Sequence, residues 1–359
     1  MATSQPQMKG TMIHPRAAVV RLPGEYGIRE GRKGCLRLDY NENTVGCSPA
    51  VRRAVARMTR EQLATYPEYG EVRRKLARHF KVHADEIVLA NGADEALRLV
   101  YDAYVERGDC ILLVDPTFPM YRIYAQLFGA RVEALRHDKE MRFPQAGVLA
   151  ELRRRPRVFF LANPNNPTGT LVPRAALAEI LDAARHTLVV VDEAYFEFCG
   201  VTVLPWIRRC RNLVAVRTFS KASGLAGLRL GVLLAHRETA DALRRPQPPF
   251  PVNAAALVAA EAAIRDGAYI RRYVGEITHA REEFCAALTG LGVRWWPSPA
   301  NFILADFGSR ASALLRALQR RGILLRDRRP DFPRPGYVRV TIGTRLQMRR
   351  LARALQGLL

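Results

Sequence analysis

From about residue 86 onward the chain alternates short apolar runs with amphipathic stretches, and that alternation leaves few folds open to it. Ile87–Ala90 reads as a strand, and Gly92 opens a helix that runs to about residue 106. Residues 110–114 form the next strand, ending at Asp115-Pro116. Residues 131–135, Val158–Ala162, Leu188–Asp192, Leu213–Thr218 and 230–235 follow as strands, with helical patterns between them, notably 174–185. Short β-branched runs alternating with helices imply a mostly parallel α/β sheet. Ligands bind such sheets in loops at the carboxyl ends of the strands. Gly92, Phe118, Asn166, Asp192 and Lys221 all fall there.

The stretch 244–251 carries four prolines and reads as a break between domains. Beyond it come helices (Ala254–Arg265, 269–291), a strand at 301–306, a helix at 311–321, a strand at 337–342 and a terminal helix from about Arg345. The expected division is an N-terminal arm (1–45) packing with the small domain, a large ligand-binding domain (46–245) and a small C-terminal α/β domain (246–359). A chain of 359 residues that is 48% hydrophobic has ample material for this.

Composition removes several functions. No apolar run reaches the roughly 18 residues of a membrane span. Residues 1–10 are polar and lack the apolar core of a signal peptide. Six scattered cysteines without a CxxC pair read as reduced thiols of a cytoplasmic protein. The net charge of +22 invites a nucleic-acid reading, yet it is spread along the whole chain. Runs such as Arg153-Arg154-Arg155 and Arg271-Arg272 read as solvated helix faces. With no basic tail and no recognition motif, a nucleic-acid partner is not expected.

Lys221 is one of only six lysines among 56 basic residues. Where arginine serves for almost every cation, a retained lysine is a candidate for chemistry that arginine cannot do, chiefly forming an imine. Lys221 sits in Thr218-Phe219-Ser220-Lys221, ahead of Arg229 and downstream of Asn163-Pro164-Asn165-Asn166-Pro167-Thr168-Gly169 and Asp192-Glu193-Ala194-Tyr195. That ordered set fits a pyridoxal phosphate (PLP) site with Lys221 as the Schiff-base lysine. Asp192 closes an apolar strand and suits the pyridine nitrogen, whose proton a buried carboxylate would hold. Alone it reads more simply as a strand-end Asp capping a turn. Asn166 and Tyr195 offer an amide N–H and a phenol O–H to the ring's O3′. Thr218, Ser220 and Arg229 offer hydroxyls and a guanidinium to its phosphate. Gly92-Ala93-Asp94 adds the amides of a helix start, although Asp94 reads equally as an ordinary N-cap. Phe118 reads as a stacking face for the ring or, with equal weight, as core. Arg339 is a charge on the apolar strand Val338-Arg339-Val340-Thr341, where an anionic substrate carboxylate would account for it.

From about Leu38 to its end the chain resembles the fold-type I PLP aminotransferases, and most closely their histidinol-phosphate aminotransferase subgroup. The resembling runs are Leu38-Asp39-Tyr40-Asn41-Glu42-Asn43, Thr65-Tyr66-Pro67-Glu68, Asn91-Gly92-Ala93-Asp94-Glu95, the 163–169 run, Val191-Asp192-Glu193-Ala194-Tyr195, Thr218-Phe219-Ser220-Lys221, the glycine-rich stretch from Gly224 to Arg229, and Arg339-Val340-Thr341-Ile342-Gly343-Thr344. The resemblance implies a homodimer with sites at the interface and Tyr66 reaching the partner's cofactor phosphate. It also implies that Arg339 holds the substrate carboxylate or its phosphate-bearing counterpart, with Arg326 as a second anion contact and Asn43 as a further substrate contact. Phe118 stands where the subgroup often has Tyr, Ser223 where an aromatic usually follows Lys-Ala, and Thr44 where Pro is common. Residues 328–335 are an unusual Arg/Pro/Asp mix at the substrate end.

The expected activity is transamination between a histidinol phosphate-like amino-alcohol phosphate or an amino acid and a 2-oxo acid. The alternative is a PLP-dependent aminotransferase, cyclase, oxidase or decarboxylase acting on an arginine-like or other amino acid in specialised metabolism. No metal is expected.

Overall fold

The structure is a computed structural model that describes residues 13–22 and 30–359; the polar stretch 1–10 and part of the N-terminal arm lie outside the described residues. Among the described residues, twelve strands form two sheets: β1 (Leu36–Leu38), β2 (Ile87–Ala90), β3 (Cys110–Asp115), β4 (Arg131–Arg136), β5 (Val158–Ala162), β6 (Leu188–Asp192), β7 (Leu213–Thr218), β8 (Gly231–Ala235), β9 (Arg294–Trp296), β10 (Phe302–Asp306), β11 (Ile323–Asp327) and β12 (Tyr337–Thr341). The larger sheet has seven strands in the order β2-β8-β7-β6-β5-β3-β4. Apart from the edge strand β4, which has no buried residue, its strands are short, apolar and mostly buried on both faces, as a sheet covered by helices on both sides requires. Alternate residues feed two different cores. Leu89, Leu112, Phe159 and Val191 pack on one side. Val88, Ile111, Phe160 and Val190 pack on the other.

Strands β4, β3, β5, β6 and β7 are parallel, whereas β8 runs antiparallel to both β7 and β2. The reason lies in the β7–β8 connection. A parallel return needs a crossover long enough to pass over the sheet, usually a helix. Residues 219–230 contain only the turn Ala226–Leu228, so the chain doubles back at the sheet's carboxyl end. That folded loop carries Lys221 and Arg229. Close backbone packing finishes the edge: a Cβ on Gly231 would come within 2.5 Å of Gly92's carbonyl carbon, so only glycine fits there.

The second sheet has the order β1-β11-β12-β10-β9. Strands β1, β9 and β11 go beyond the sequence expectation: β1 and β9 are three residues long, too short for a periodic signal, and the apolar run of β11 stops at the charged pair Arg326-Asp327. β1 pairs in parallel with β11, which lays residues 39–46 across the junction of the two sheets. The Asn41 backbone N–H donates to Thr341 Oγ1 at 2.9 Å, and Asn43 Nδ2 donates to the carbonyl of Ala222 at 3.0 Å. Among the described residues no helix is long and apolar enough to cross a membrane.

Behind the carboxyl end of β6 lies a buried ion pair. Arg217 Nε donates to Glu193 Oε2 at 2.6 Å, with the two side chains 4% and 1% exposed. The Val203 N–H donates to Glu193 Oε1 at 2.6 Å, and the guanidinium lies 3.5 Å from the Phe196 ring centroid. Removing the carboxylate leaves a buried, unmatched cation. Glu193→Ala should therefore lower unfolding stability by about 3–5 kcal/mol in urea denaturation. The double variant Glu193→Leu/Arg217→Met should recover most of that loss.

Candidate active site

The carboxyl ends of the large sheet, the doubled-back loop and the second sheet enclose a cavity of about 820 Å³. Asp192 ends the fully buried strand β6 and faces into it. Tyr121 O–H donates to Asp192 Oδ2 at 2.8 Å, and the Ala194 N–H donates to Oδ1 at 3.0 Å. Burial pushes the Asp192 carboxyl up to about 6, and those two hydrogen bonds only partly offset it. A cationic ring nitrogen would remove this penalty. Tyr121 was missed from sequence, because a tyrosine on an amphipathic helix gives no sign of which strand end it will meet.

Lys221 lines the same cavity and donates from Nζ to the carbonyl of Tyr40 at 3.1 Å. Burial brings its amine down to about 8, and the nearby Arg339 charge adds to the effect. Tyr195 is buried, and burial raises its phenol, so the group is a proton donor. Its oxygen accepts from Asn41 Nδ2 at 2.9 Å and from Asn166 Nδ2 at 3.4 Å. Its own proton has no acceptor among the described residues and is available to a ligand. Asn41, which the sequence reading did not single out, thus joins Asn166 and Tyr195.

At one end of the cavity, Ala93 and Asp94 stand in the first turn of the helix Gly92–Tyr104, beside Thr218, Ser220 and Arg229. The first N–H groups of such a helix have no internal partner and favour an anion. Gly92 has φ +82°, and a Cβ on it would collide with the Arg229 guanidinium. Gly92 therefore shapes this cradle without lining it. Arg229 Nη2 is 2.8 Å from Asp94 Oδ2, so its charge is shared with a carboxylate. Thr218 Oγ1 accepts from the Ser220 N–H at 3.1 Å and shapes the turn as well. Phe118 lines the cavity and packs edge-on against Tyr121.

At the other end, Arg339 Nη1 donates to Asn166 Oδ1 and Nη2 to the carbonyl of Asp39, both at 2.6 Å. Its buried Nε has no partner among the described residues. Burial pulls this guanidinium down to about 10, and the like charges of Arg328 and Arg326 act in the same direction. Arg326 faces Arg339 across the β11–β12 ladder and also lines the cavity. Asn43 and Tyr66 lie outside this cavity, Tyr66 being the residue expected to serve a neighbouring subunit. Asn43 does not line the cavity, because its amide holds the 43–46 turn against the Lys221 loop. Tyr66 is 76% exposed and stacks on Phe250 outside the cavity.

An amine, a buried carboxylate, an amide–phenol pair, an anion cradle and an unmatched guanidinium thus meet in one enclosed space. The chain matches the family Aminotransferase class I and II over residues 33–355, and it belongs to that family. It is 35% identical over 357 residues to the histidinol-phosphate aminotransferase of Geobacillus sp. (strain WCH70), covering 96% of this chain and 94% of that protein. It is 38% identical over 342 residues to the protein of the same name from Symbiobacterium thermophilum, covering 92% of each. Among solved structures it superposes on histidinol-phosphate aminotransferase from Sinorhizobium meliloti in complex with pyridoxal-5′-phosphate. That match has a TM-score of 0.89 and 25% identity, over 97% of this chain and 98% of that one.

The depressed Lys221 amine makes a prediction about pH. Its ordinary value is 10.5 and its folded value about 8, so between these the unfolded chain holds the extra proton. Stability from this group therefore rises with pH across that window and is lowest below pH 8. In cofactor-free protein, Lys221→Met should gain stability over wild type most at pH 7. The gap should close by about pH 10 in urea titrations. A pH-independent gap would show that the amine is not desolvated.

Proposed function

We propose that this protein transfers an amino group between a histidinol phosphate-like amino-alcohol phosphate, or an amino acid, and a 2-oxo acid, with pyridoxal phosphate held in the 820 Å³ cavity. The observation that carries this reading is the pairing of a desolvated amine, Lys221, with a desolvated carboxylate, Asp192, beside an unmatched guanidinium, Arg339. The cradle of Ala93, Asp94, Thr218, Ser220 and Arg229 fits the cofactor's phosphate, Asp192 its ring nitrogen, and Asn166 with Tyr195 its phenolic oxygen. Bound there, pyridoxal phosphate supplies a carbonyl for the incoming amine and a ring that withdraws electrons from the substrate Cα. Asp192 holds a proton on the ring nitrogen. Lys221 Nζ, whose amine burial brings down to about 8, is placed to take the proton from the substrate Cα in its unprotonated form. Arg339 orients the substrate through its anionic group, and the enclosing loop 39–46 keeps water out.

The chain's relatives named for histidinol phosphate support that donor. We further read the protein as a cytoplasmic homodimer. Tyr66 and Phe250 form an exposed aromatic pair, and Leu63 and Val45 are exposed as well. Burying these side chains against a second copy removes apolar surface from water.

Lys221→Ala should abolish turnover and the near-visible absorbance of the lysine-attached cofactor. Asp192→Asn should raise the barrier by about 3 kcal/mol or more, because an amide cannot hold the ring proton. Given one amino donor alone, the wild type should release one equivalent of keto product and stall until a 2-oxo acid is added. Continuous release from a single donor would reject transamination.

The dimer is tested by complementation. Chains carrying Tyr66→Phe are co-expressed with chains carrying Lys221→Ala. If Tyr66 serves the neighbouring subunit, the mixed dimer has one site with both defects and one with neither. Its activity per intact lysine should exceed that of the Tyr66→Phe homodimer. No gain would place Tyr66 within its own chain's function.

A further inference from the structure

Asn41 is fully buried where the two sheets meet, and it holds a left-handed backbone with φ 55°. Asparagine is one of the few residues other than glycine that adopt this region readily. Residues at the ends of β10 and β12 fix its polar groups. The Asn41 backbone N–H donates to Thr341 Oγ1 at 2.9 Å, and its carbonyl accepts from Asn301 Nδ2 at 3.1 Å. Thr341 Oγ1 in turn donates to Asn41 Oδ1 at 3.0 Å. This orientation turns Asn41 Nδ2 towards the Tyr195 oxygen, which it meets at 2.9 Å. Turned the other way, the amide would present its N–H groups to Thr341 and leave that hydroxyl's proton without an acceptor among the described residues.

Tyr195 is held from its other side. Its ring is buried and packs edge-on against Phe302, with 5.0 Å between centroids, so the freedom left to it is rotation of the O–H bond. Asn166 Nδ2 stands 3.4 Å from the phenol oxygen, a long contact beside the one from Asn41. A phenol oxygen that accepts a close N–H points its own proton away from that donor. The direction left to it is the cavity, which Tyr195 lines. Accepting from Asn41 also makes the phenol a stronger donor, since that bond works against the effect of burial.

We propose that Asn41 is a positioning residue for Tyr195: oriented by Thr341 Oγ1, its amide donates to the phenol oxygen and so commits the phenol proton to the ring oxygen of the cofactor. This rests on the pyridoxal phosphate reading above. The line of donors spans both sheets, because Thr341 ends β12 and Tyr195 follows β6. The charged groups around the phenol are Arg339 on β12, Arg328 beyond β11, Asp192 on β6, and Lys221, whose Nζ is 5.9 Å from the ring centroid. A substitution at Asn41 leaves all four in the chain, so its effect reports the amide.

A proton donated to the ring oxygen favours that oxygen's anion. It thereby lowers the pH at which the lysine-attached cofactor gives up its proton and changes absorbance. Asn41→Gly tolerates the left-handed backbone and removes the amide. It should move that pH upward by about 0.5–1 pH unit, the worth of one hydrogen bond. Asn41→Asp keeps the size, but its carboxylate accepts the phenol proton, and the upward shift should be larger. Thr341→Val, which frees the amide to turn, should shift the pH in the same direction, and Thr341→Ser should restore the wild-type value. In a Tyr195→Phe background, Asn41→Gly should add nothing. An equal shift in that background would make Asn41 structural and overturn the proposal, as would no shift in either. Calorimetry gives a readout independent of the lysine. Cofactor-free protein is titrated with 4-deoxypyridoxine 5′-phosphate, which lacks the aldehyde, and with its 3-deoxy counterpart, which lacks the ring hydroxyl as well. Wild type should prefer the first by about tenfold, and Asn41→Gly should lose most of that preference. Equal weakening of both analogues overturns the proposal. If wild type binds neither analogue, the pyridoxal phosphate reading itself fails. If wild type prefers the first and Asn41→Gly keeps the preference, that reading stands and only the role of Asn41 fails.

Discussion

Desolvation of ionisable side chains in one cavity is the constraint on which the rest of this structure depends. Asp192, Lys221 and Arg339 are each held where the charged form is disfavoured, and each is displaced towards neutrality: the carboxyl to about 6, the amine to about 8 and the guanidinium to about 10. Such placements destabilise the fold by themselves. They persist because two apolar helix layers and a buried seven-stranded sheet hold the strand ends rigid. The groups that a ligand would satisfy are the ones the protein leaves unsatisfied, which is the physical meaning of a preorganised site.

The second dependence is on a short segment. Residues 39–46 touch β12 through Asn41 and the lysine loop through Asn43, and the Tyr40 carbonyl accepts from Lys221 Nζ. The same segment supplies Asn41 to Tyr195 and the Asp39 carbonyl to Arg339. It therefore couples the position of the second sheet to the state of the amine. Movement of β1 and β11 relative to the large sheet would be felt directly at Lys221 and Arg339.

Legibility in the sequence followed local periodicity. Val158–Ala162, Leu188–Asp192 and Leu213–Thr218 were readable to the residue, because strands buried on both faces are unbroken apolar runs. The helix Ala254–Arg265 was equally readable. β1, β9 and β11 were not: β1 and β9 are only three residues long, β1's partner β11 is nearly 290 positions away, and β11 ends in the charged pair Arg326-Asp327. Nor does anything in the local pattern around residue 231 announce that β8 runs against its neighbours. That follows from a connection too short and irregular to cross the sheet.

What the sequence determined by itself was the chemical inventory and its order: a rare lysine, a strand-end aspartate, an Asn–Tyr pair, a glycine-opened helix and an arginine on an apolar strand. Residue type and local spacing suffice for that, because strand ends and helix starts are local features. Only the tertiary structure decided which of these meet. It turned Asn43 from the cavity towards the lysine loop and set Tyr66 on an outer face. It also brought in Tyr121 and Asn41, which have no distinctive local signal, and set Arg328, the first residue of the unusual 328–335 mix, in the cavity wall. The reason is physical: burial, and with it the strength of every charge and hydrogen bond in the site, is a property of what packs around a residue. That packing comes here from segments up to 300 positions apart in the chain.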